Sequence, residues 1–127
     1  MILNSNSIKP IYLQIADWLE AEILAYRIIE DERIYSQYQL AGMFNINPAT
    51  AAKGLNILAD KKVIYKKRGL GMFVAPSARE IILKSRKDQV LGEILRELIR
   101  ETERLGIPEE QLIEMIREAK KNKGEED

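Results

Sequence analysis

Two groups of side chains in the middle of this sequence have the types and spacing to hold a polyanion. Asn47, Ala49, Thr50 and Lys53 form the first; Lys66, Lys67 and Arg68, next to Gly69, form the second. An Asn amide can pair with adenine, a Thr or Ala methyl can pack on thymine, and a Lys can reach guanine or a phosphate. Over residues 47–72 six basic residues stand against Asp60 alone, whereas the whole chain has 20 basic and 20 acidic residues and no net charge. A non-specific nucleic-acid binder is usually basic overall, so any attraction here must come from one positive face. The competing reading of the same residues is an ordinary solvated helix face and a basic hairpin whose lysines discourage edge-to-edge pairing.

Other chemistries are poorly supplied. The chain has no Cys and no His, which excludes disulfides, thiolate or imidazole metal sites and Cys nucleophiles. General acid–base work would fall to carboxylates or Lys, and the acids are spread over helix surfaces. A phosphate-cradling Gly-rich loop would need a helix directly after Gly69 and Gly71, yet Met72-Phe73-Val74 is strand-like. No enzyme, cofactor or metal is expected. The N-terminus lacks a basic, then apolar, leader, and no apolar run approaches the ~20 residues of a membrane span. A cytoplasmic protein with no membrane partner is expected.

The elements that must position the two groups can be read in order. Residues 1–9 read as an irregular arm. Ser7 and Pro10 bracket a helix start, and the helix runs to about Arg27. Tyr12, Ile15, Ala16, Leu19, Ile23 and Tyr26 form its apolar stripe, with Asp17, Glu20 and Glu22 off it. Ile28 to Tyr35 reads as a turn and a very short strand. Ser36 and Gln39 then form a capping box on a helix from Gln37 to Phe44. Asn45 suits a left-handed turn residue. Asn47 caps the next helix and Pro48 opens it. That helix runs to about Asp60 with Ala51, Leu55 and Leu58 inward, which turns Asn47, Ala49, Thr50 and Lys53 outward. Val63–Tyr65 and Met72–Ala75 read as two strands, with Lys66 to Gly71 as a hairpin tip. Short helix, tight turn, second helix and basic hairpin together make a winged helix-turn-helix.

The C-terminal third is different. From Ala78 to about Leu105 one helix is expected, started by Ser77 with Glu80 at the capping-box position. Its stripe is Val90, Leu91, Ile94, Leu95, Leu98 and Ile99, with Gly92 inside it. Gly106 stops this helix. Pro108 restarts another to about Lys121 that buries Leu112, Met115, Ile116 and Ala119, before a frayed tail. Two such helices cannot bury their own stripes. They must cover the winged domain or a second subunit, and a two-fold homodimer is the favoured reading. Val90, Leu91, Ile94, Leu95, Leu98, Leu112, Met115 and Ile116 would form its contact. The fold expected is mainly α with a small β-wing: a winged helix-turn-helix over residues 1–76, then a two-helix dimerisation segment over 77–127.

Several motifs resemble the GntR-type transcriptional regulators, in particular the small YtrA-like subfamily. They are Pro10-Ile11-Tyr12 with Gln14-Ile15, Ser36 through Leu40-Ala41, Ile46-Asn47-Pro48-Ala49-Thr50 with Lys53, and Arg68-Gly69-Leu70-Gly71-Met72-Phe73-Val74. The resemblance implies a bacterial repressor that binds double-stranded DNA as a dimer through its C-terminal helices. It places DNA contacts at Ser36, Tyr38, Asn47, Ala49, Thr50, Lys53, Arg68 and Gly69. Tyr38 stands where the family usually has Arg, and Lys62 where Gly is common. The expected function is sequence-specific regulation at a palindromic operator. The alternative is a winged-helix module that binds protein. Operator, regulated genes and any effector are not legible, and the C-terminal helices are small for a sizeable ligand pocket.

Overall fold

The structure, a computed structural model, describes residues 3, 4 and 8–126. Helix α1 spans Ile11–Leu24. Pro10 precedes the helix, and its carbonyl accepts from the Leu13 and Gln14 N–H groups at 3.1 and 3.2 Å. Ser7 lies outside the described residues. The arm is not wholly irregular, because the buried Gln14 amide exchanges hydrogen bonds with the Asn4 backbone at 2.8 and 2.9 Å. Helix α1 stops short of Arg27 because Tyr26 adopts a left-handed φ of 60°. The Tyr26 and Arg27 N–H groups then reach back to the Ile23 and Glu22 carbonyls at 3.1 and 3.0 Å. This is a Schellman closure, and no glycine marks it in the sequence. Tyr26 is therefore exposed rather than part of the stripe. Trp18 joins the core margin instead, edge-on to Phe44 with centroids 4.9 Å apart. Glu20 also departs from expectation: it is buried, with its carboxylate 3.7 Å from Lys61 Nζ.

Helix α2 is Gln37–Phe44, and both halves of its Ser36/Gln39 capping box are present, at 3.1 and 2.8 Å. Asn45 is left-handed, with φ 53°. Helix α3 is Pro48–Asp60, capped by Asn47 Oδ1 accepting from the Ala49 N–H at 2.8 Å. Ala51, Leu55 and Leu58 are buried as expected, and so is Gly54. A Cβ at Gly54 would lie 2.9 Å from both the Tyr12 carbonyl oxygen and Ile15 Cγ2. Glycine is thus what lets α1 and α3 approach this closely. Helix α3 closes as α1 does, on a left-handed non-glycine residue. Lys62 has φ 69°, and the Lys62 and Val63 N–H groups bond the Ala59 and Leu58 carbonyls at 3.0 and 2.9 Å.

Strands β1 (Ile64–Lys67) and β2 (Gly71–Val74) pair antiparallel, from Ile64↔Val74 to Lys67↔Gly71. Lys66 and Lys67 therefore belong to β1 and not to the tip, because the turn closes early: the Leu70 N–H bonds the Lys67 carbonyl at 2.9 Å. The short strand expected before Tyr35 is an extended segment along the other side of β2. It holds there by an Arg33↔Phe73 bridge and the Ile34 N–H bonding the Met72 carbonyl at 2.8 Å. Alternation puts Ile34, Ile64 and Val74 inward. Helix α4 (Ala78–Ser85) adds Ala78 and Ile82 to that core. Ile15, Leu19, Leu40, Leu58, Val63, Val74 and Ile82 are its largest fully buried side chains, each stabilising by about 1.5–3 kcal/mol.

The chain divides into two compact units, Met1–Ser85 and Arg86–Asp127. Helix α4 goes with the first, so this division falls later than one between residues 76 and 77. The long helix expected from Ala78 is interrupted: Arg86–Leu91 winds as a π-helix, and helix α5 begins at Gly92 and ends at Arg104. Gly106, φ 68°, closes α5, with the Ile107 N–H bonding the Thr102 carbonyl at 2.9 Å. Helix α6 runs Glu109–Glu126, past Lys121 and through the tail expected to fray. Lys123 in its last turn suits the negative end of the helix dipole. No helix among the described residues is long and apolar enough to cross a membrane.

Candidate nucleic-acid interface

The outward arc of α3 is built by its buried one. With Ala51, Gly54, Leu55 and Leu58 inward, Ala49, Lys53 and Asn56 are exposed on the opposite side, and Thr50 is half-buried at its margin. Asn47 is exposed just ahead of them. Its Oδ1 is already committed to the cap, so its amide N–H2 is the part left for a ligand. Lys53 is not a free tether: its Nζ lies 4.7 Å from the centroid of the Tyr12 ring on α1. An attraction of that kind orders the ammonium without neutralising it.

Ser36 is half-buried and spends its hydroxyl on the Gln39 N–H, while Tyr38, two residues on, is largely exposed. Arg68 and Gly69 form the hairpin turn with Leu70, and Gly69 carries the positive φ, 78°, that such a tight turn favours. Lys67 lies over the outer face of the wing, 4.3 Å from the Phe73 centroid and 5.8 Å from that of Tyr65. Lys66 points to the other face, toward α3, as strand alternation requires. The Tyr65 hydroxyl donates to Asp31 Oδ1 at 2.7 Å, which fastens the Asp31 loop to β1 and holds the phenol above its usual pKa.

Between α3 and β1 lies an open cleft of about 660 Å³. Its floor includes Leu55, Ile64 and Met72, and its polar lining is Gln37, Asn56, Lys62 and Lys66 beside Tyr65, with no carboxylate. The cleft was not anticipated from the sequence. Asn56 was detectable there, since it follows Ala49 and Lys53 on the same helical arc. Gln37 and Lys62 were not, because only the packing of the wing on α3 brings them alongside.

In the second unit Val90, Leu91, Ile94, Leu95, Leu98, Met115 and Ile116 are all exposed, and Leu112 is half-buried. Ile99, Leu105 and Ile113 are exposed as well. So many large apolar side chains on two short helices are not a stable solvent surface.

No protein-family model matches the chain. A solved transcriptional regulator of the GntR family from Bacteroides thetaiotaomicron is 35% identical. The similarity covers 89% of this chain and 98% of that one, with a TM-score of 0.78. The chain belongs to the GntR family. Within Bacillus subtilis it is similar to the HTH-type transcriptional repressor YtrA, at 27% identity over 91% of this chain and 88% of YtrA. It is also similar to the HTH-type transcriptional regulator YhcF, at 28% over 88% and 91%. This GntR-family member is YtrA-like, a small regulator with a winged helix-turn-helix and a short helical C-terminal segment, and not an enzyme. The chain also resembles AraR(DBD) in complex with an operator, at 25% identity over 59% of this chain and 93% of that one, TM-score 0.53.

Proposed function

We propose that the protein represses transcription by binding a palindromic operator in duplex DNA as a homodimer. The observation that carries this reading is the outward arc Asn47–Ala49–Thr50–Lys53 at the start of a capped, core-anchored helix, flanked by a basic hairpin. Helix α3 enters the major groove by its first turns. Ala49 and the Thr50 methyl contact thymine methyls, Lys53 reaches guanine or a phosphate, and the Asn47 amide donates. Ser36 and Tyr38 at the start of α2 and Lys66, Lys67, Arg68 and Gly69 of the wing contact the backbone, with Arg68 at the tip nearest the minor groove. That YtrA is a repressor and that AraR(DBD) was solved on an operator support the reading.

The homodimer rests on the uncovered apolar face. Val90, Leu91, Ile94, Leu95, Leu98, Leu112, Met115 and Ile116 would meet their counterparts across a two-fold axis. Pairing fixes the spacing of two recognition helices and adds the affinity that one modestly charged unit lacks.

Gel-shift titrations of single-site variants test the assignment. Lys53→Ala should weaken binding to the selected operator by about tenfold, within the ~1–3 kcal/mol of a base contact, and change random-duplex binding little. Arg68→Ala should weaken both and flatten the salt dependence. Wild-type affinity in both variants would remove α3 and the wing from the interface.

A further inference from the structure

The first unit holds another recess, on residues that the DNA-facing set does not use. The end of α1, the loop after it, the end of β2 and the start of α4 enclose about 450 Å³, within the roughly 300–1,000 Å³ of small-molecule pockets. Ile23, Ile28 and Val74 are buried beneath it and make an apolar floor. Arg79, Glu30 and Glu80 supply its charges, a guanidinium against a pair of carboxylates. We propose that this pocket binds a free α-amino acid with a branched aliphatic or aromatic side chain.

Arg79 carries the argument. Its Nη1 donates to the Leu24 carbonyl at 2.6 Å, and its Cζ lies 4.6 Å from the centroid of the Tyr26 ring. Tyr26 is exposed and left-handed, so its ring serves Arg79 rather than the core. Both contacts hold the guanidinium in place, and neither neutralises it. Among the described residues its Nε–H and Nη2–H edge makes no hydrogen bond or ion pair. That edge is a fork that takes a carboxylate bidentately. A carboxylate on an apolar body alone would meet Glu30 and Glu80 with like charge. An α-amino acid sets an ammonium beside its carboxylate and so answers both signs, while its side chain covers the floor.

Calorimetric titration of the full chain, backed by ligand-observed NMR, tests this. L-Leucine and L-phenylalanine should bind saturably, and glycine, which has no apolar body, should not. L-Leucinamide lacks the carboxylate and should bind at least about tenfold more weakly than leucine. N-Acetyl-L-leucine lacks the ammonium and should bind several-fold more weakly. Glu30→Gln, exposed and nearly isosteric, should keep the wild-type melting temperature. It should weaken leucine several-fold and leave N-acetyl-L-leucine no weaker, a split that a merely structural change would not produce. Arg79→Lys keeps the charge but loses the fork, and should weaken both ligands about tenfold. Should Arg79→Lys fail to fold, the ligand series and Glu30→Gln decide alone. Absence of saturable binding by leucine and phenylalanine overturns the proposal. So does N-acetyl-L-leucine binding as tightly as leucine, or a leucine affinity that the substitutions leave untouched. None of these outcomes bears on the DNA assignment, because no residue of the pocket belongs to it.

Discussion

Lys53 shows how a single side chain is prepared for its task. Its ammonium sits over Tyr12, so on the proposed reading α3 presents a charge that is placed before DNA arrives. Tyr12→Phe keeps the ring and should leave operator affinity unchanged. Tyr12→Leu removes the ring's quadrupole and should weaken operator binding by up to about fivefold, the ~0.5–1 kcal/mol of an exposed cation–π contact. Binding curves on the same operator check both. Tyr65 gives a residue-scale prediction in pH. Its folded pKa is raised by the hydrogen bond it donates to Asp31. The stabilisation is therefore complete below the phenol's unfolded value near 10 and fades as pH rises through the folded one. In Tyr65→Phe, stability at alkaline pH should lose this component of its decline, seen in denaturant titrations across that range. The outward arc of α3 was legible at this scale because helix period and capping chemistry are local. The contact of Tyr12 with Lys53 was not, because it depends on how α1 packs beside α3.

At the scale of elements, the starts of helices were legible and several ends were not. Ser36 with Gln39, and Asn47 with Pro48, are sequence-local caps, and each sits where its chemistry requires. Ser36→Ala should cost about 1 kcal/mol of stability. Gly106 marked the end of α5 for the same reason. The ends of α1 and α3 fall on Tyr26 and Lys62, where Schellman closures hold a left-handed residue that intrinsic preference opposes. Lys62→Gly should thus gain about 1 kcal/mol, or several degrees of melting temperature. Gly54 is the opposite case. Its helix propensity argues for Ala, but the added methyl would press on the Tyr12 carbonyl and Ile15 at 2.9 Å. Gly54→Ala should therefore destabilise by about 1 kcal/mol or more, and it should shift α3 relative to α1, which disturbs Lys53 on Tyr12. The interruption of the helix after α4 by π geometry carries no Pro, and nothing in its spacing announces it.

For the whole molecule, zero net charge and one modest positive face make a single unit a weak reader. On the proposed reading affinity comes from pairing, through the exposed apolar side chains of the second unit. Leu98→Glu should halve the mass measured in solution, because each buried Leu lost forfeits about 1.5–3 kcal/mol and a carboxylate is placed where its partner would be. The thermal unfolding of the first unit, whose core lies elsewhere, should hold. Selection of bound fragments from random duplex DNA by the full chain tests the central claim most directly. The selected fragments should be enriched in an inverted repeat whose half-site centres lie about one helical turn, or a multiple of it, apart. Recovery of fragments with no shared sequence, or of a single unrepeated site, would contradict it.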